Sequence, residues 1–105
     1  MKIYSYDVQS DTVDQMVTEL RYVIATARAN SNDLIALNTD FQNDGKESLI
    51  IVKVLKALKR EGKIDFFADK ESFEKNSREA SYLVNKFSDI TEFVKSEKLY
   101  FVVKI

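Results

Sequence analysis

Apolar residues recur at three- and four-residue spacing through Val13, Met16, Val17, Leu20, Val23, Ile24 and Ala27. This single stripe predicts an amphipathic helix over about 12–29. Ser10 or Asp11 is placed to cap it, and Asp14 sets a carboxylate near the positive helix end. Asn30 and the polar Ser-Asn-Asp that follows close it. Upstream the period changes to two. Across 2–8, Tyr4, Tyr6 and Val8 share one face and Ile3, Ser5 and Asp7 the other, which predicts a first strand.

The segment DLIALNTDFQ (33–42) reads as a second strand, and the next stretch admits two readings. In one, Asp44 caps a helix over 46–61 with Glu47 completing a capping box. In the other, Asn43-Asp44-Gly45 is a hairpin loop with Gly45 in the left-handed conformation, and 46–54 is a strand. Leu49, Ile50, Ile51 and Val52 favour the hairpin, because four consecutive apolar side chains fit a strand buried on both faces. The β-branched Ile50, Ile51, Val52 and Val54 add to that preference. A short helical turn in KALKRE then precedes Gly62.

IDFF (64–67) is a short extended piece. A helix is expected from Lys70 to Ser88, capped by Asp69, with Phe73, Ser77, Ala80, Val84 and Phe87 on one face and Leu83 beside it. EKLYFVVKI (97–105) is apolar on both faces, the mark of a strand inside a sheet. The preferred order is a ferredoxin-like split βαββαβ two-layer sandwich, an α+β fold with an insertion at about 56–69. A helix at 46–61 gives instead a small three-layer α/β domain of order βαβαβαβ. One domain over 1–105 suits either arrangement.

Composition narrows the chemistry. The chain has no His, no Cys and only two Gly, which removes the commonest general base, metal ligand and thiol nucleophile. Glycine-rich phosphate loops are excluded as well. No acidic residue sits inside an apolar run, where burial would tune a catalytic carboxylate. The expectation is therefore no catalytic residue, no metal and no cofactor. The absence of a long apolar run and of cysteine points to a chain free of the membrane and cytoplasmic.

Net charge is −1, yet its distribution is uneven. Residues 1–45 carry three basic and seven acidic side chains, whereas 46–63 carry six basic and two acidic, a local excess of four positive charges. Lys53, Lys56, Lys59, Arg60 and Lys63 are the candidate binding residues of that island. Tyr4 and Tyr6, on the face that a two-layer sandwich leaves open, are candidate stacking groups. Together these features predict a non-enzymatic binding or regulatory protein acting through protein–protein contacts, as a homodimer or with a heterologous partner. The alternative is RNA or DNA binding through 53–63.

Overall fold

A computed structural model describes residues 2–38, 45–87, 90 and 98–103 of the chain. Eight elements follow in order: β1 (Ile3–Asp7), α1 (Val13–Ala29), β2 (Leu34–Asn38), α2 (Gly45–Arg60), β3 (Ile64–Ala68), α3 (Lys70–Glu74), α4 (Arg78–Lys86) and β4 (Lys98–Val103). The strands form one mixed sheet of order β1-β2-β4-β3. β1 and β2 pair in parallel, and β4 runs antiparallel between β2 and β3. The fold is a small α+β domain, with four helices among the described elements, and β4 lies inside the sheet as its two apolar faces predict.

Each sheet face has its own core. Tyr4, Tyr6, Ile35, Leu37, Ile64, Phe67 and Val103 meet Met16, Leu20, Val23, Ile24 and Ala27 of α1 and Ile51, Val54, Leu55 and Leu58 of α2. Ile3, Leu34, Ala36, Phe66, Ala68 and Val102 meet Phe73 of α3, Leu83 of α4, and the following Phe87 and Ile90. The connections β1–α1–β2 and β2–α2–β3 advance in the same direction across the sheet. A constant crossover hand then requires both helices on one face, where they are found.

The hairpin expectation is corrected at 45–60. Gly45 opens α2, and the third strand expected at 46–54 is helical; positions 39–44, including the expected turn at 43–44, lie outside the described residues. Lysine placement explains the outcome. A strand through Val52, Lys53 and Val54 would turn Lys53 into one of two covered faces, at a cost of several kcal/mol for an unpaired charge. A helix instead buries Ile51, Val54, Leu55 and Leu58 on one side and leaves Lys53, Lys56, Lys59 and Arg60 exposed. Ile50 and Val52 fill the margins of the stripe. The helix-propensity loss of β-branched residues is only a few tenths of a kcal/mol each. Consequently 56–69 is no insertion but the end of α2 followed by β3, and the element order follows the βαβαβαβ alternative with a mixed sheet.

The helix expected over 70–88 is broken in two. Asp69 does cap its start, accepting from the Ser72 amide at 2.8 Å, but the chain reverses at Asn76, φ 51°, before Ser77 caps α4. Within α4 the buried side chains are Ala80 and Leu83, while Val84 faces out. Thr12, not Ser10 or Asp11, caps α1 through its hydroxyl and the Gln15 amide.

Three helices end in one geometry. In α1 the Ser31 amide donates to Arg28 O at 3.0 Å and the Asn32 amide to Ala27 O at 2.9 Å. In α2 the Gly62 amide donates to Lys59 O at 3.1 Å and the Lys63 amide to Leu58 O at 3.0 Å. In α3 the Asn76 amide donates to Phe73 O at 3.2 Å and the Ser77 amide to Ser72 O at 3.0 Å. Each cap needs one left-handed residue: Ser31 at φ 56°, Gly62 at 74° and Asn76 at 51°. Gly62 is the sole glycine among the described residues in this conformation, so the role expected of Gly45 belongs to it. A Cβ at Gly62 would meet nothing within 4 Å, so Gly62→Ala is expected to cost only the backbone term, about 1 kcal/mol. Ser31→Gly should gain about 0.5–1 kcal/mol for the same reason. Urea titration of both variants checks the opposite signs.

Candidate functional site

The second helix sets the geometry of the cationic residues. Lys53, Lys56 and Arg60 occupy successive turns on the side away from Ile51, Val54, Leu55 and Leu58, with Lys59 next to them. All four are exposed, as is Lys63 beyond the Gly62 turn. Lys56, Lys59 and Arg60 line a shallow, open depression. Among the described residues none of these five side chains forms an ion pair or a side-chain hydrogen bond.

The structure adds two cations that the charge pattern left out. Arg28 of α1 donates from Nη2 to the Lys63 carbonyl at 2.9 Å. Arg21, two turns earlier, donates to both Glu61 oxygens at 2.9 and 3.0 Å. Arg21, Ile24, Ala25, Arg28 and Lys63 line one cleft of about 130 Å³ between α1 and the turn that follows α2. The seven-residue spacing of Arg21 and Arg28, flanking the buried Ile24, is the signal that would have grouped them. Their place in an otherwise acidic first half of the chain obscured it.

Not every cation here requires a ligand to explain it. Lys59 and Arg60 lie in the last turn of α2 and Arg28 in that of α1. There a positive charge complements the helix dipole, for about 0.3–1 kcal/mol each. The Arg21–Glu61 pair is exposed and contributes less than about 1 kcal/mol. Lys53 and Lys56 have neither a dipole nor a partner to satisfy. Their only local work is to stay solvated.

Tyr4 and Tyr6 are not on an open face. Both are half-buried on the side covered by α1 and α2, nearly parallel with ring centroids 6.4 Å apart. The other face carries α3 and α4, so the described sheet has no open face on which the two rings could stack with bases. Tyr6 has a different role. Its hydroxyl donates to Glu19 Oε2 at 2.6 Å, and the same carboxylate accepts from the amides of Gln9 at 2.9 Å and Ser10 at 3.1 Å. Glu19 thus ties the β1–α1 connection to α1. It is a half-buried acid between Met16 and Leu20 on the stripe side of the helix, a placement that the absence of acids from contiguous apolar runs did not reveal.

Burial works to raise the Glu19 pKa, but the hydrogen bonds from Tyr6, Gln9 and Ser10 outweigh it and hold the carboxyl below its ordinary value. The bond to Glu19, with burial and the nearby negative charge, pushes the Tyr6 phenol up to about 12. Three hydrogen bonds tie the Glu19 carboxylate to β1 and to the connection that follows it, so this acid acts as a clamp within the fold. No group of three or more acidic side chains converges among the described residues, and none of their helices is long and apolar enough to cross a membrane. Comparison of the chain with protein families, with curated proteins and with solved structures gives no match.

A lowered carboxyl pKa stabilises the fold above the unfolded-state value, and that contribution is lost as pH falls through the folded one. Glu19→Gln is therefore expected to cost about 1–3 kcal/mol at neutral pH, the range for hydrogen bonds to a charged acceptor. Its gap to the wild type should close in acid, below the ordinary carboxylate range. Denaturant midpoints at neutral and acid pH measure it. Tyr6 contributes in the opposite window, below its unfolded pKa of about 10, and its contribution fades as pH rises through about 12.

Proposed function

We propose that this protein is a non-enzymatic binding protein that presents the outer side of α2 to a polyanionic macromolecule. The observation that carries the reading is the row Lys53, Lys56 and Arg60, exposed and unpaired on successive helical turns and continued by Lys63. Lysine ammonium groups in such a row are mobile donors that adapt to phosphate or carboxylate without needing one fixed geometry. The polar inventory of the chain supports a binding role over catalysis. Among the described residues, the half-buried carboxylate with a shifted pKa, Glu19, is engaged by Tyr6, Gln9 and Ser10.

The double variant Lys56→Glu, Arg60→Glu tests this reading. Both side chains are exposed, so the fold and thermal melt should survive within about 1 kcal/mol, as for surface changes generally. Retention on a heparin column, strong at low salt for the wild type, is expected to collapse. Equal retention of the two proteins would remove the α2 face from the function.

A second reading, contact with another protein or a second copy of the chain, is favoured by a different feature. A shallow cleft of about 240 Å³ is lined by Phe73, Asn76, Ala80, Ser81, Val84 and Asn85, and Val84 and the neighbouring Tyr82 are exposed. Association through this side should weaken in Val84→Ser, with sedimentation velocity as the readout.

A further inference from the structure

We infer that the polyanion is a nucleic acid held through its phosphates along α2; the inference rests on the functional reading above and names its partner class. Two observations separate a phosphate backbone from an acidic protein surface. Protein interfaces are anchored by a desolvated apolar or aromatic centre with charges at the rim. The exposed large apolar residues among the described side chains are Val13, Tyr22, Tyr82 and Val84, and none lies on α2 between Ile50 and Arg60. Over that stretch the ridge offers charge without an exposed apolar anchor, which suits a partner read through charge. Its geometry is also periodic. Side chains three and four apart on a helix stand about 5–6 Å from one another, and Lys53 to Arg60 spans about 10 Å. A nucleic-acid strand presents one charge at every nucleotide, a row of matching regularity.

Overall acidity does not oppose this. Asp7, Asp11 and Asp14 are exposed near the start of α1, whereas Arg28, at its far end, contacts the Lys63 backbone. A helix of 17 residues separates those ends, about 25 Å. That exceeds the physiological screening length of about 8 Å severalfold, so the acidic end does not set the potential at the ridge. Some acids lie closer, among them Glu47 of α2, six residues before Lys53. Glu61 is held by Arg21, and Asp65 is exposed at the start of β3, beyond the last cation of the row.

Phosphates at Lys53, Lys56, Arg60 and Lys63 make a definite demand on salt dependence. Fluorescence anisotropy of a labelled mixed-sequence RNA or DNA of about 20 nucleotides should give a log–log salt slope of about −3 for a single strand and −3.6 for a duplex. Lys56→Glu, Arg60→Glu should lose at least tenfold in affinity and flatten the slope by about two phosphates' worth. Circular dichroism verifies folding, and Lys53→Gln, Lys56→Gln serves as the milder variant. Poly-glutamate is the control. If it binds the ridge and nucleic acid does not, the nucleic-acid inference fails while the polyanion reading stands. If neither binds at low salt, both fail. Binding with a slope shallower than −1 overturns phosphate contact at the ridge.

Discussion

The sheet depends on β4. β1 and β2 are joined directly, but β3 is hydrogen-bonded to β4 alone, so it is the return of β4 between β2 and β3 that makes one sheet of four strands. Val102 and Val103, adjacent in sequence, point into opposite cores, so one strand anchors both helical layers. The remaining arrangement follows from this two-sided burial. Any segment inside the sheet must be apolar on both faces, and any segment carrying a lysine at every third or fourth position is directed to a helix outside it. The same constraint makes the fold non-local, because β3 reaches its partner only after the α3–α4 excursion. Such pairing raises contact order and slows folding.

What could be read from the residues alone depended on whether the decisive contact was local. The α1 stripe, the alternation of β1 and the interior position of β4 are properties of short windows, and the structure agrees with them. Leu49–Val52 taken alone favours a strand, yet 45–60 is helical. The arbiter was Lys53, whose burial in a two-sided sheet depends on α4 covering a face the local pattern leaves bare. The break at Asn76 was equally hidden, since Phe73 and Ala80 keep a helical spacing across it while the backbone changes hand.

The candidate site divides along the same line. The five cations of 53–63 were visible as a compositional excess, and their exposure on one helix is a consequence of the apolar stripe opposite them. Their neighbours Arg21 and Arg28 come from another helix and were invisible without the packing of α1 beside α2. Tyr4 and Tyr6 show the reverse case. Alternation puts them on a shared face, but which layer covers that face is a property of the whole topology, and the pair packs against the α1–α2 core.

One irregularity in β3 carries a consequence for how the chain tolerates change. Ile64 pairs with Val103 and Phe66 with Val102, so Asp65 is an extra residue on that strand. Simple alternation would place Ile64, Phe66 and Ala68 together; the bulge instead sends Ile64 and Phe67 to one core and Phe66 and Ala68 to the other, with Asp65 outside. All four apolar side chains of a five-residue strand are thereby used. Removing Asp65 would restore an even ladder in which plain alternation keeps Ile64 and Phe67 on one face and Phe66 and Ala68 on the other, with every partner on β4 unchanged. β3 should therefore accept loss of Asp65 as well as substitution of it, a tolerance of length at the one position where the strand carries a residue its partner does not count.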